Sequence, residues 1–159
     1  MERDVVIVSG AFDPIHRGHL SLFEDASKIG RLVVCLNSDE WLVKRKGQAF
    51  MCFEDRKHMI GSLIWVTKVI SFDDEDGTAC DGINKVYAYL RYQKNFKGKI
   101  LFANGGCEKE QNTAEIDLCN DLNVDLLWNV GGEQLMSSDD MLKKWCRCQI
   151  RMLLEKYLK

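Results

Sequence analysis

Short apolar runs alternate with amphipathic stretches along the chain. Val5-Val6-Ile7-Val8, continued by Ser9 and closed by Gly10, is the pattern of a strand buried on both faces. Gly18 to Ile29 places Leu20, Phe23, Ala26 and Ile29 at helical spacing, and Gly30 supplies a stop. Leu32 to Leu36 is a second buried strand, and Asn37-Ser38-Asp39 caps a short helical turn containing Trp41 and Leu42. Lys44 to Gly47 reads as a basic loop. A helix follows over Phe53 to Leu63, with Met59, Ile60 and Leu63 directed inward.

The second half repeats the scheme. Lys68 to Phe72 is a third strand, and Asp73 to Gly77 an acidic, solvated loop. Asp81 to Tyr92 carries Ile83, Val86, Tyr87 and Leu90 at helical spacing. Lys99 to Ala103 is a fourth strand, broken by Asn104-Gly105-Gly106, and Thr113 to Leu122 is a helix. Asp125 to Val130 is a fifth strand ended by Gly131-Gly132. A long helix runs from about Ser138 to Leu158. Strand and helix in alternation predict an α/β fold, a five-stranded parallel sheet with helices on both faces and right-handed crossovers. Ligands of such sheets bind at the carboxyl ends of the strands. The loop after strand one, the Asn37-Ser38 turn and the two Gly-Gly loops all fall on that edge.

A length of 159 residues and the absence of a repeat or linker predict one domain, residues 1–159. The net charge of −2 and the lack of any like-charge block argue against a nucleic-acid partner. No apolar run approaches the ~20 residues of a membrane span, and Met1-Glu2-Arg3-Asp4 is no signal peptide. Seven scattered cysteines in a chain of this size read as reduced thiols in a cytoplasmic protein. Cys146-x-Cys148 lacks the second pair a zinc site needs.

The chemistry concentrates in Gly10-Ala11-Phe12-Asp13-Pro14-Ile15-His16-Arg17-Gly18-His19, where two of the three histidines stand three residues apart. Imidazoles and free N–H groups at a helix N-terminus form a site for polyanions. His16 and His19 are the candidate catalytic donors to a triphosphate. Gly10 and Gly18 let backbone approach phosphate or base, while Phe12 and Pro14 stiffen the loop. Asp13 either orients the loop by accepting backbone N–H groups or helps hold Mg²⁺.

This segment resembles the His-x-Gly-His signature of the nucleotidyltransferase superfamily, matching it at Gly10, Phe12, Asp13, His16, Gly18 and His19. Its flavour is that of the cytidylyltransferase-like group, which includes glycerol-3-phosphate cytidylyltransferases and heptose-phosphate adenylyltransferases. The resemblance implies a single Rossmann-like domain. It also implies transfer of CMP or AMP from a nucleoside triphosphate to a phosphorylated small acceptor such as a sugar or polyol phosphate, with Mg²⁺ as cofactor and release of pyrophosphate. It assigns Lys44 to the phosphates, with Lys46 and Arg56 as further phosphate or acceptor contacts. It gives nucleotide binding to Gly10, Ala11, Phe12, Asp13, Gly18, Asn104, Gly105, Gly106, Ser137 and Ser138. Cys107 stands where relatives often carry Asp, and Asp139 and Asp140 follow the serine pair where many carry Arg. The same relatives suggest hydroxyl recognition by Asp73 to Asp76 as an alternative to a solvated loop.

A non-catalytic nucleotide-binding module of the same fold is the other reading. A dinucleotide-binding oxidoreductase is excluded because the first loop lacks Gly-x-Gly-x-x-Gly. On the last helix, Met141, Leu142, Trp145, Cys148, Met152 and Leu153 form an apolar stripe. It either packs on the sheet or makes a homodimer contact.

Overall fold

Alternate residues of the first strand face opposite ways, and the chain builds a core on each side of it. The computed structural model describes residues 2–105, 113–132 and 137–157. Five parallel strands, β1 (Val5–Gly10), β2 (Arg31–Leu36), β3 (Val66–Ser71), β4 (Ile100–Ala103) and β5 (Asp125–Leu127), form one sheet in the order β3-β2-β1-β4-β5. Val6 and Val8 pack with Leu22, Phe23, Ala26 and Ile60 on one face. Val5 and Ile7 pack with Ile83, Val86, Phe96 and Phe102 on the other. The helices of the first face are α1 (Arg17–Ile29) and α3 (Phe53–Gly61); those of the second are α4 (Cys80–Ala88) and α5 (Thr113–Leu122). Burial of continuous Val/Ile/Leu strands on both faces is what a parallel sheet requires.

The strand order reverses between β1 and β4, where the connections leave in opposite directions. This is the switch point at which parallel sheets open a crevice.

Several expected boundaries shift for physical reasons. Gly30 ends α1 in extended backbone, and a Cβ there would lie 2.6 Å from the Asp4 carbonyl, so close approach to the start of β1 selects glycine. The helix expected to end at Tyr92 changes hydrogen bonding after Ala88 and closes as a π turn over Tyr89–Gln93. β5 stops at Leu127, short of Val130, because Asn129 adopts φ 55° and Val130 N–H donates to the Asn104 carbonyl instead of the ladder. Lys44, Arg45 and Lys46 form no loop. They are the last turn of α2 (Asp39–Lys46), capped by the Ser38 hydroxyl at its start and closed by left-handed Gly47.

The final helix, α6 (Ser138–Tyr157), departs most from expectation. Trp145, Ile150, Met152, Leu153, Leu154 and Tyr157 are all more than half exposed, and Ser138 is its one buried residue. Its apolar stripe therefore does not pack on the sheet. No described helix is long and apolar enough to cross a membrane.

Candidate functional site at the sheet switch point

The loop leaving β1 is held from several sides. Phe12 takes φ 50°, an unfavourable conformation for a bulky residue, and is 5% exposed. Its ring packs edge-on against His19 and against Phe23, with centroids 4.9 Å apart in both cases. The Asp13–Pro14 peptide is cis. Asp13 is buried, and its two carboxylate oxygens accept the N–H groups of Phe50 (2.7 Å) and Met51 (2.9 Å). These contacts give Asp13 the loop-orienting role expected of it. No cluster of three His, Cys, Asp or Glu suited to an ion occurs among the described residues.

His16 is the N-cap of α1. Its Nδ1 accepts from Gly18 N–H at 3.1 Å, while the His16 N–H donates to His19 Nδ1 at 3.3 Å. The two rings stack with centroids 3.7 Å apart and planes 22° from parallel. An imidazole whose Nδ1 accepts a hydrogen bond carries its proton on Nε2. Both histidines are thereby fixed as neutral rings with Nε2–H as donor. Burial, then the neighbouring Lys46 ammonium, lowers the His16 pKa; burial, His16 and Lys46 lower that of His19 to about 3. His16 Nε2 is buried with no partner among the described residues. A buried donor left unpaired is costly unless something else satisfies it.

A cavity of about 190 Å³ lies beside these rings at the switch point. Its walls are the β1 end (Ser9 to Phe12), the α1 start (His16, Gly18, His19, Leu22), Asn104-Gly105 after β4, and Val130 to Gly132 after β5. Gly10, Ala11, Phe12, Gly18, Asn104 and Gly105 of the sequence reading are brought together here. The expected reason for two glycines changes. A Cβ on Gly10 would meet the Phe12 ring at 2.8 Å and one on Gly18 the His16 ring at 3.1 Å, so these glycines make room for side chains of the site itself. Gly131 and Gly132 were visible as a strand-ending pair but not assigned to the site. Gly131 has φ 89°, and its Cβ would lie 2.6 Å from Leu22 N. Gly106 and Cys107 lie outside the described residues.

The cations are placed differently from expectation. Lys44 Nζ donates to the Glu75 carbonyl at 3.2 Å and lines a separate cleft with Asp73 and Trp41. Residues two apart on a helix point to different sides, so Lys46 is the one that turns toward the histidines. Its ammonium is 2.7 Å from Asp139 in the first turn of α6. Arg56 does not reach the cavity. Its side chain is fully buried and donates to the carbonyls of Ala11 (2.8 Å), Asn37 (3.0 Å) and Met51 (3.2 Å) and to Asp39 (2.6 Å). It ties the histidine loop to α2 and α3.

The serine pair joins α6 to the same loop. Ser137 Oγ accepts from Asp140 N–H and donates to Asp140 Oδ2, and Ser138 Oγ donates to the Pro14 carbonyl at 2.8 Å. Both hydroxyls thus serve as a helix cap and a tether. The acidic loop is also less solvated than expected. Asp74 is buried and accepts from Asn37 Nδ2, Ser38 N–H and Ser38 Oγ at 2.7 to 2.9 Å.

The family described as Cytidylyltransferase-like matches residues 7–157. Glycerol-3-phosphate cytidylyltransferase of Bacillus subtilis (strain 168) is 30% identical over 104 residues, covering 65% of this chain and 81% of that protein. The bifunctional protein HldE of Blochmanniella floridana is 37% identical over 75 residues, covering 45% of this chain but 16% of the relative's length. A solved structure, the lipopolysaccharide core biosynthesis protein from Thermoplasma volcanium GSS1, shares the fold, with a TM-score of 0.58, 20% identity and coverage of 79% of this chain and 93% of that one.

Proposed function

The chain belongs to the cytidylyltransferase-like family, and we propose that it transfers a nucleoside monophosphate from a nucleoside triphosphate to a small phosphate-bearing acceptor. A phosphate oxygen of the acceptor forms a bond to the α-phosphorus. The bond from that phosphorus to the bridging oxygen of the β-phosphate breaks, and pyrophosphate leaves with the electron pair. The observation that carries the reading is the pair of Nε2–H donors, fixed by backbone contacts to both Nδ1 atoms and set beside the cavity at the switch point.

In this mechanism His16 and His19 donate to the phosphate oxygens on which charge grows. They are preorganised by the cap and shed no proton. The α1 N-terminus adds its positive end, and Lys46 leaves Asp139 to follow the triphosphate as a mobile point charge. Lys44 keeps a role only if α2 rotates it from Glu75. Ser137 and Ser138 give their hydroxyls to the triphosphate by exchanging their present partners. Mg²⁺ carried by the triphosphate would supply neutralisation of charge on the leaving group, and His16, His19 and Lys46 would hold the triphosphate that brings it. CTP and ATP are the two donors in view, the protein acts in the cytoplasm, and the α6 stripe is a homodimer contact.

Pyrophosphate release, measured with CTP and with ATP against a panel of phosphorylated acceptors, tests the reading. Turnover with one pairing is expected. Tight nucleotide binding with no release for any acceptor would favour the non-catalytic module instead.

A further inference from the structure

The second face of the sheet is covered at one end only. Its helices pack over Val5, Ile7 and Phe102, while β3 at the other end is an edge strand. Val33 of β2 and Ile70 of β3 belong to this face and stay partly exposed. A groove of about 560 Å³ opens over them. Val5, Val33 and Ile70 make its floor, and Val86, Tyr89 and Leu90, from the end of α4 and the π turn, make its inner wall. It shares no lining residue with the histidine cavity, so what it holds is not a substrate of that site.

Four cations line this groove and no carboxylate does: Arg31, Lys57, Lys68 and Lys85. In a chain of net charge −2 this is a local excess. Two of the four are balanced from outside the groove, Lys85 by Asp81 at 2.8 Å and Lys57 by Glu54 at 3.5 Å. Arg31 and Lys68 have no carboxylate within ion-pair distance among the described residues. Arg31 rests instead against the Phe96 ring, 5.4 Å from its centroid. The strand register sets the two on one face, because Lys68 is the partner of Val33, which lies two residues on from Arg31.

These features select the occupant. Floor and inner wall are aliphatic apart from one ring, which suits a hydrocarbon chain. Two unpaired cations suit a head group with a charge of about −2, which a phosphate monoester approaches at neutral pH. A second copy of the chain suits the groove poorly, because a two-fold contact lays a patch on itself and would bring like charges together. We infer that the groove between β3 and the end of α4 binds a free, single-chain alkyl phosphate. Its chain lies on Val33, Ile70 and Leu90, and its phosphate sits between Arg31 and Lys68. The guanidinium offers that phosphate a planar fork and the ammonium a point charge. The groove is recessed between a strand and a helix, so a free chain reaches it and a flat bilayer does not. The inference does not depend on the transferase reading.

The test is calorimetric titration of the whole protein with octyl phosphate below its micelle concentration. Butyl phosphate, inorganic phosphate, octyl glucoside and octyltrimethylammonium are the comparison probes. Octyl phosphate is expected to bind most tightly. Each buried methylene is worth about fourfold, so it should outbind butyl phosphate by more than about tenfold. Arg31→Gln should weaken its binding about tenfold, the loss of a hydrogen bond to a charged group, and Lys68→Gln about fivefold, the loss of an exposed ion pair, with circular dichroism unchanged. Should Arg31→Gln fail to fold, Lys68→Gln and the probe series decide the matter. In methyl-labelled protein, octyl phosphate should move the resonances of Val33, Ile70 and Leu90. Equal affinity for inorganic phosphate or octyl glucoside, preference for octyltrimethylammonium, or shifts confined to α6 would overturn the inference. So would octyl phosphate affinity unchanged in both variants. Lys68-dependent binding to phosphatidylcholine vesicles containing phosphatidic acid, without binding of octyl phosphate, would assign the groove to a membrane surface and overturn it as well.

Discussion

His16 and His19 cap one another: the backbone N–H of the first donates to Nδ1 of the second, and their rings stack 3.7 Å apart. The same contacts that start α1 also decide which nitrogen of each ring carries the proton. Capping and donor function can be separated by substitution. His16→Asn keeps an acceptor for Gly18 N–H, so unfolding in urea should stay close to that of the parent, while kcat/KM falls by about 10²- to 10³-fold, the loss of a preorganised donor. His16→Ala should lose that activity and about 1 kcal/mol of stability as well.

Acid should destabilise the fold through the same pair. The His19 pKa is held at about 3, below the ordinary value of 6.5, and that of His16 is lowered too. Between these values the unfolded chain binds protons that the folded one refuses. The stabilisation is therefore full above pH 6.5 and declines as pH falls toward about 3, by at most about 1.4 kcal/mol per pH unit for each group. Melting temperatures from pH 8 to pH 4 should show the decline, and His19→Asn should flatten it. Because His19, held at about 3, gains no proton near neutrality, kcat/KM should show no ionisation of His19 between about pH 6 and 8.

Fully buried Arg56 pairs with partly exposed Asp39 at 2.6 Å, and the histidine loop leans on that contact. Arg56 keeps its three carbonyl acceptors when this carboxylate goes, so Asp39→Ala should cost about 1.5 to 3 kcal/mol in urea unfolding, the loss of a hydrogen bond to a charged group. Arg56→Lys should also destabilise, because a point charge cannot serve the carbonyls of Ala11, Asn37 and Met51 together.

Asp139 competes with any incoming phosphate for Lys46. An exposed pair of this kind contributes up to about 1 kcal/mol. Asp139→Asn should therefore lower the triphosphate KM by up to about fivefold, with the gain shrinking in high salt, and Lys46→Ala should raise it.

The apolar side of α6 needs a cover that the described residues do not supply. Sedimentation should report a dimer at micromolar concentration, and Trp145→Glu should shift it to monomer. A monomeric parent protein would remove α6 as a dimer contact.

The parallel sheet and the histidine loop were legible because buried strands and glycine-punctuated turns write directly into the sequence. Thr113–Leu122 begins and ends where its pattern says. What escaped depends on orientation. The Lys44-Arg45-Lys46 run looks like one basic patch, yet a helical turn sends Lys44 to Glu75, Lys46 to the histidines and Arg45 to a cleft beside the β1 terminus. Arg56 reads as a ligand contact because a buried guanidinium with carbonyl partners from three segments has no local signature. Asp74 likewise disappears in an acidic run whose other members stay exposed. For α6, periodicity announced an apolar face but not what it would touch.

Pyrophosphate release from CTP or ATP with a polyol or sugar phosphate, compared between the parent protein and the cap-preserving His16→Asn and His19→Asn variants, tests the central claim most directly. The account predicts turnover by the parent and its near abolition in both variants, with folding retained. Full activity in the two variants would contradict it.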